Sequence, residues 1–425
     1  MLNKIIPKSE FSKNVANVVG GTMLAQLITI LLSPIISRLF SPADFGLYSI
    51  FLNLALTVSI ASTFRYELAV MLPQKDEEAI NVVSLSLFIS FFFSIIIFLT
   101  FQLGGKSLLY LIHSEEIASY IPLLSIYVFF FSVMQTVNYW LSRMKMFRRL
   151  SAGKVIQSSV TALGSILIFY IGLKTGGLIL AFVFGQVSIG IIYLLFFRKD
   201  WLRLKYAVSS KVMKEMFSKY IHFLSFNTPL AFLGVLQDLI VAGLIKYYFG
   251  NAAAGFFFMS CRILKLPAGI IGAATYQVFY QRINELFPDG KAVQHQVSKV
   301  YKQLLLLSIP IFGVILIGGP FLFALAFGKE WHEAGVYSQI LIPTLLLSFV
   351  LAPVSAVTVV TRMQHYAIYI GVADIILRTI SLLIGGYYQS IYIALMCLSG
   401  STSVLLLFVM YWYYYLPMSK KVKAY

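Results

Sequence analysis

Residues 38–73 read RLFSPADFGLYSIFLNLALTVSIASTFRYELAVMLP. A short polar connector containing Pro42, Asp44 and Gly46 precedes an apolar run that ends with Arg65 and Glu67. About 20 apolar residues suffice for a helix to cross a ~30 Å hydrocarbon layer. Charged side chains are costly in such a segment, and membrane proteins usually retain them for a purpose. The stretch therefore predicts a membrane-spanning helix with a functional polar end.

The composition extends this prediction to the whole chain. Of the 425 residues, 59% are hydrophobic and 12% are charged, whereas an ordinary soluble domain is roughly 25% charged. Cys261 and Cys397 both lie inside apolar runs, and the five histidines are scattered without metal-ligand spacing. We therefore expect an all-α integral membrane protein that is not an enzyme and holds no metal or other cofactor.

Twelve transmembrane helices are predicted from the apolar runs. Connectors on one side of the membrane hold 25 Lys and Arg residues, and connectors on the other side hold 5. The positive-inside rule then places both termini in the cytoplasm and makes the net charge of +17 a topology signal rather than a sign of nucleic acid. The predicted spans are 15–37, 45–67, 80–103, 118–141, 154–173, 177–197, 219–245, 253–277, 303–327, 335–360, 366–386 and 390–416.

The spans divide into two related halves. A basic, amphipathic cytoplasmic linker at 198–218 separates a lobe of six spans at 1–197 from a second lobe at 219–425. RLFSPADFG at 38–46 is matched by KYYFGNAAAG at 246–255, since both place a base before an aromatic residue, a small polar turn and a glycine. Six spans on each side with matching loops are typical of a parallel-repeat transporter. We also predict that Pro34 and Pro229 interrupt the first helix of each half.

The connector FSPADFGLY at 40–48 and the segment RYELAV at 65–70 resemble those of a known family. They are similar to the bacterial Wzx-type O-antigen and polysaccharide flippases of the MOP exporter superfamily. The length, the twelve spans and the short loops extend the resemblance over the whole chain.

This resemblance carries several expectations. It implies two pseudo-symmetric six-helix lobes around a central cavity, lined mainly by spans 1, 2, 7 and 8. The implied substrate is an oligosaccharide repeat unit on a polyprenyl diphosphate, moved from the cytoplasmic to the periplasmic leaflet of the bacterial inner membrane. We expect membrane lipids and polysaccharide polymerase machinery as further partners, no nucleic acid, and a monomeric protein.

Arg262 and Lys265 are the first candidates for substrate binding. They lie three residues apart in span 8, so they share one helical face. Arg262 is about ten residues, or roughly 15 Å, into the span. A planar guanidinium suits a diphosphate because it bonds two oxygens at once. The alternative is a structural ion pair with Asp238 of span 7.

Arg65, Glu67 and Arg38 are the remaining substrate-site candidates. Arg65 and Glu67 lie near the cytoplasmic end of span 2, where they would serve as a headgroup contact or as a gate. Because they are two residues apart on a helix, we expect them on different faces and not paired. Arg38 ends span 1 on the periplasmic side, as a cavity rim or an ordinary flanking residue.

Asp374 and Arg378 lie four residues apart in span 11, a spacing that predicts an intrahelical ion pair. The alternative is that Asp374 relays a coupling ion, either a proton or sodium. We expect a structural role.

Two other functions remain open. A multidrug or small-solute exporter of the same superfamily would favour acidic residues in the cavity for cationic drugs, whereas spans 7 and 8 are net basic. A membrane glycan polymerase or ligase would be expected to carry a large periplasmic loop, and the outward connectors here are short.

Overall fold

The computed structural model describes residues 10–111, 115–287, 289–363 and 365–418, and every regular element in these ranges is helical. Two compact units emerge from the packing. The first comprises Met1–Phe40 and Leu47–Leu239, and the second comprises Ser41–Gly46 and Ile240–Tyr425.

The first unit is a bundle of helices, most of which are long enough to span a membrane. Its core contains Tyr66, Val83, Val137, Trp140 and Tyr193, all buried. Helix α1 packs on α5, α5 on α6, α6 on α4, and α4 on α3. The helices are α1 Glu10–Leu39, α2 Pro42–Ala61, α3 Asp76–Leu111, α4 Ile121–Arg143, α5 Phe147–Tyr170, α6 Gly177–Leu204 and α7 Ser210–Lys219, with 3₁₀ turns at Tyr66–Met71, Glu115–Tyr120 and Lys205–Ala207.

The second unit contains most of the long helix α8 and the helices that come after it in the chain. Its core contains Phe279, Phe312, Phe349, Leu382 and Leu398, all buried. Helix α9 packs on α10, while α13 packs on both α10 and α12. The helices are α8 Thr228–Leu286, α9 Gly290–Phe327, α10 His332–Val354, α11 Ala356–Val360, α12 Tyr366–Tyr387 and α13 Ile391–Tyr415, with 3₁₀ turns at Lys329–Trp331 and Leu416–Met418.

Helix α8 changes direction at Gly250, whose backbone has φ 84° and ψ 176°. This region of φ is one that glycine adopts at little cost and other residues avoid. Across the described residues, eleven helical stretches are long and apolar enough to cross a membrane, and one of them, Ala231–Leu266, contains the Gly250 corner. Counting its two arms separately gives twelve spans, so the chain is a multi-pass, all-α membrane protein.

The predicted end of span 2 was wrong. Helix α2 ends at Ala61, and residues 62–65 form turns that lead into the 3₁₀ turn Tyr66–Met71. Phe64 and Arg65 have φ values of 48° and 61°. Two successive non-glycine residues in the left-handed region cannot continue a right-handed helix.

The predicted interruption at Pro34 was also wrong, because α1 runs from Glu10 to Leu39 with Pro34 inside it. Proline is tolerated within transmembrane helices, where neighbouring groups compensate for the lost backbone hydrogen bond. Pro229 does lie at a discontinuity, since the π-helical turn Phe223–Asn227 comes directly before α8.

The basic segment after α6 is anchored to the first unit. The Asn81 amide donates to the Ala207 carbonyl over 2.9 Å and accepts from the Ser209 N–H over 2.9 Å. Tyr66 donates its hydroxyl to the Phe217 carbonyl over 2.8 Å and stacks on the Phe217 ring. Helix α7 buries only Met216, as befits an amphipathic surface helix. The boundaries 1–197, 198–218 and 219–425 stay predictions.

Candidate functional site

The turn after α2 brings Arg65 and Glu67 together. An Arg65 Nη1 atom lies 3.5 Å from Glu67 Oε1, and the Glu67 side chain is 3% exposed. Thr63 donates its hydroxyl to Glu67 Oε2. The expectation that Arg65 and Glu67 do not pair was therefore wrong. That expectation assumed 100° steps along an α-helix, whereas Arg65 has a left-handed backbone and Glu67 lies on a 3₁₀ turn.

Burial controls the electrostatics of this pair. Loss of hydration raises the pKa of the Glu67 carboxyl, while the Thr63 hydroxyl and the Arg65 charge lower it and offset part of the effect. The Arg65 Nε atom is buried without a hydrogen-bond partner in the described part of the chain. The guanidinium is thus only partly satisfied, and its side chain remains 24% exposed. A partly exposed cation beside a buried carboxylate can exchange its partner for an incoming anion.

Arg143 fixes the segment that follows this turn. Its guanidinium donates to the carbonyls of Val70, Pro73 and Gln74 over 3.3, 2.7 and 3.1 Å, and to Asp76 Oδ1 over 3.0 Å. These groups run from the end of the 3₁₀ turn to the first residue of α3. From the sequence, Arg143 is only one of the 25 basic residues counted in the connectors on the cytoplasmic side. Its carbonyl contacts depend on how the connector folds, and no local pattern indicates them.

Arg262 and Lys265 share one side of the second arm of α8. Ser260 and Leu264 are buried and mark the side of this arm that faces the core of the second unit, and Ser260 also donates to the Ala334 carbonyl over 2.6 Å. Arg262 is two residues from each of them, or about 200° around the helix. Arg262 is half-buried and Lys265 is exposed. The two cations therefore face away from the core of their own unit.

Asp238 and Arg38 both lie on helices, as their sequence positions predicted. Asp238 is exposed on the first arm of α8, within the first unit, and Arg38 is exposed in the last turn of α1. The ion pair between Asp238 and Arg262 stays a prediction, as does the role of Arg38 at a cavity rim.

Asp374 and Arg378 form the predicted intrahelical pair. Arg378 Nε donates to Asp374 Oδ1 over 2.9 Å, and both side chains are less than one-fifth exposed. Thr402 of α13 also donates to Asp374 Oδ1, over 3.4 Å. The prediction of an ion pair is confirmed, and the role in ion coupling stays a prediction. Among the described residues, no group of three or more His, Cys, Asp or Glu side chains is placed to hold a metal ion.

Comparison with protein families adds a second line of evidence. A sequence model described as "Polysaccharide biosynthesis protein" matches residues 35–336, which is more than half of the chain. The chain belongs to the polysaccharide biosynthesis protein family. The matched region of this family member includes the Arg65–Glu67 turn and the Arg262–Lys265 arm, whereas Asp374 lies outside it. No curated protein sequence matches the chain.

The fold is shared with transporters of known structure. The lipid II flippase MurJ in an inward closed conformation is 11% identical with a TM-score of 0.68, covering 91% of this chain and 87% of that one. A multidrug resistance MATE family transporter of the MOP superfamily is 14% identical in its inward-facing conformation, with a TM-score of 0.65 and 96% of each chain covered. An outward-facing MATE transporter of the same superfamily gives a TM-score of 0.57 at 14% identity and the same coverage. The family member thus has the all-α membrane transporter fold seen in these proteins.

Proposed function

We propose that the protein is a flippase for a polyprenyl-diphosphate-linked oligosaccharide, the repeat unit of an O-antigen or a related surface polysaccharide. It would move this unit from the cytoplasmic to the periplasmic leaflet of the bacterial inner membrane by alternating access, with both termini in the cytoplasm. One observation carries the proposal. A member of a polysaccharide biosynthesis family, folded as a multi-pass transporter, presents two cations one turn apart on a membrane-spanning arm, directed away from its own core.

The substrate poses a specific physical problem. Its polyprenyl tail can remain in lipid, but the diphosphate and the sugars cannot cross hydrocarbon without polar partners. An arginine at the middle of a membrane costs about 3 kcal/mol on insertion scales. Arg262 and Lys265 offset that cost if they meet a dianionic headgroup during each cycle. Arg262 would bind two phosphate oxygens through its planar fork, and Lys265 would add a second positive charge.

The Arg65–Glu67 pair would act at the cytoplasmic mouth. In the resting protein, Glu67 neutralises Arg65 inside a largely dry turn. An arriving headgroup would compete for the Arg65 guanidinium, which already has one nitrogen without a partner. Asp238 would be a further polar group for the substrate, and Arg38 would lie on the periplasmic side.

A multidrug or small-solute exporter is the second candidate, because MATE transporters share the fold. The Arg262–Lys265 face argues against cationic drugs, since like charges repel in a medium of low dielectric constant. A glycan polymerase or ligase is less well supported, because the fold relatives named above are described as transporters or a flippase. We expect no enzymatic activity and no bound cofactor, with a proton or sodium gradient as the energy source.

Reconstitution tests the function directly. The purified protein is placed in vesicles with a fluorescent polyprenyl-diphosphate oligosaccharide, and the labelled headgroup reaching the opposite leaflet is measured with and without a proton or sodium gradient. We expect transfer by the wild type, and a loss of at least tenfold in Arg262→Glu at equal protein abundance. Lys302→Glu, at an exposed site on α9, is the matched charge reversal and should retain transfer. Normal transfer by Arg262→Glu would disprove the site, and no transfer by the wild type across several oligosaccharides would disprove the function.

A further inference from the structure

A cavity of about 590 Å³ lies between α1 and α5 in the first unit. None of its lining residues belongs to the Arg65–Glu67 turn or to α8. The wall is largely apolar and has one charged side chain. The lining residues are Gly20, Gly21, Leu24, Arg148, Ser151, Ala152, Val155 and Ile156.

The two glycines of α1 explain why the cavity exists. Gly21 lies so close to Ser151 that a side-chain carbon on Gly21 would overlap it, so the two helices are in tight contact there. At the adjacent Gly20, a Cβ atom would meet nothing within 4 Å. Close approach on one face and a missing side chain beside it leave an open groove rather than a filled interface.

Arg148 places a positive charge at this groove. Its side chain is exposed and takes part in none of the hydrogen bonds or ion pairs found among the described residues. Its neighbour Arg149 does have partners, because it donates to the Phe196 carbonyl over 3.2 Å and lies over the Phe196 ring. Arg148 lies in the first turn of α5, the end that the distribution of basic residues places in the cytoplasm.

Exposed apolar side chains continue from the cavity along both helices. On α1, Leu31 is 70% exposed and lies two turns beyond Leu24 of the cavity wall. On α5, Leu163 is 52% exposed and lies two turns beyond Ile156. Two turns correspond to roughly 10 Å of helix. Since α1 and α5 pack against each other, these leucines extend an apolar track from the Arg148 end towards the membrane interior.

We propose that this groove binds an anionic glycerophospholipid of the cytoplasmic leaflet. Its phosphate contacts Arg148, and one acyl chain follows the track of Leu24 and Leu31. Arg148 matches the anionic headgroup of such a lipid, and the apolar wall matches its acyl chain. Cytoplasmic leaflets carry anionic lipid, which basic residues near the membrane surface attract. Bound lipid would tie α1 to α5 and stabilise the first unit. This site is independent of the proposed flippase activity.

Native mass spectrometry of the purified full-length protein tests the proposal with phosphatidylglycerol and phosphatidylcholine as probes. We expect phosphatidylglycerol to bind the wild type more tightly than phosphatidylcholine. Arg148→Gln should weaken phosphatidylglycerol binding by roughly tenfold, as loss of a charge-assisted hydrogen bond would. Arg198→Gln is the matched control, because Arg198 is an exposed arginine of α6 that does not line the groove.

The Gly20→Leu variant tests the shape of the groove separately from the charge of Arg148. The leucine would enter open space and improve helix propensity, so the fold should be retained while the cavity is filled. We expect it to lose phosphatidylglycerol binding and the accompanying rise in melting temperature with Arg148 intact. Equal phosphatidylglycerol binding by Arg148→Gln and Arg198→Gln would overturn the proposal. Retained binding by Gly20→Leu would do the same, as would binding of a polyprenyl phosphate in place of the glycerophospholipid.

Discussion

Arg65 lies 3.5 Å from the carboxylate of Glu67, although only one residue separates them in the chain. The contact exists because the backbone leaves the right-handed helical region at Phe64 and Arg65 and resumes as a 3₁₀ turn. Left-handed backbone at two successive non-glycine residues costs of order 1–3 kcal/mol each and persists only where surrounding contacts impose it. Arg143, with its three carbonyl acceptors, supplies part of that constraint for the segment that follows.

The stability of the Glu67→Gln variant relative to the wild type is predicted to increase as the pH rises. Burial raises the pKa of Glu67 above its ordinary value of 4.5, so the folded protein binds this proton more tightly than the unfolded chain. The free energy of unfolding of the wild type therefore falls as the pH rises above 4.5, and stops falling beyond the raised pKa. Glutamine does not titrate. The melting temperature of Glu67→Gln in detergent should therefore increase relative to that of the wild type as the pH rises above 4.5.

The same measurement also shows whether this prediction for Glu67→Gln fails. If the variant is less stable than the wild type by the same amount at every pH, the Arg65 pair outweighs the burial of the carboxylate. The pH dependence would then have to be assigned to other groups. Glu285→Gln is a suitable control, because this glutamate is exposed and bonds only to the side chains of neighbours on its own helix.

The membrane spans were predictable because hydrophobicity and length are properties of each segment alone. The corner at Gly250 was predictable for a similar reason, since a glycine within a short polar stretch suits a connector. The break at Phe64 and Arg65 was not, because neither residue favours a positive φ and no glycine or proline lies near it in the sequence. The break is accompanied by the hydrogen bond from Thr63 to Glu67 and is followed by the contacts of Arg143. The spacing of residues in the sequence indicates none of these interactions.

For a related reason, the sequence predicted the relations between residues of one helix but not the contacts between helices. Arg262 and Lys265 share a face because both lie on a regular helix, where spacing determines direction. Asp374 and Arg378 pair for the same reason. Arg148 and Arg149 are adjacent in sequence and alike in chemistry, yet one lines a groove and the other is bonded to Phe196. Only the packing of α1 and α6 around α5 distinguishes them.

Arg143→Gln is predicted to destabilise the first unit by about 3 kcal/mol, because the carbonyls and Asp76 would lose charge-assisted hydrogen bonds. The measurement is thermal unfolding in detergent. Arg203→Gln is the control, since Arg203 lies 4.0 Å from the same Asp76 but its side chain is 60% exposed. Its effect should stay within about 0.5 kcal/mol. Equal losses in the two variants would show that Asp76, and not the set of carbonyls, accounts for the stability.

Gly255→Val is predicted to reduce the yield of folded protein. A Cβ at Gly255 would overlap the Pro42 carbonyl, and a Cβ at Gly46 would overlap the Asn251 carbonyl. The two glycines matched by the internal repeat therefore permit reciprocal close packing within the second unit, and overpacking there should cost about 2 kcal/mol or more. Gly243→Val is the control, because its Cβ would meet nothing within 4 Å. Size-exclusion profiles of a fluorescent fusion measure the yield, and equal profiles for the two variants would contradict the prediction.

Asp374→Asn is predicted to reduce stability without removing the dependence of transport on an ion gradient. The substitution leaves Arg378 without its carboxylate in a site less than one-fifth exposed, which should cost about 2 kcal/mol. Replacing both residues, in Asp374→Asn with Arg378→Gln, should recover part of that loss, as expected for a coupled pair. Melting temperature reports the stability, and headgroup transfer in vesicles with and without a proton or sodium gradient reports the coupling. If Asp374→Asn keeps its melting temperature but transfers substrate at a rate independent of the gradient, then Asp374 relays the coupling ion and the structural role is wrong.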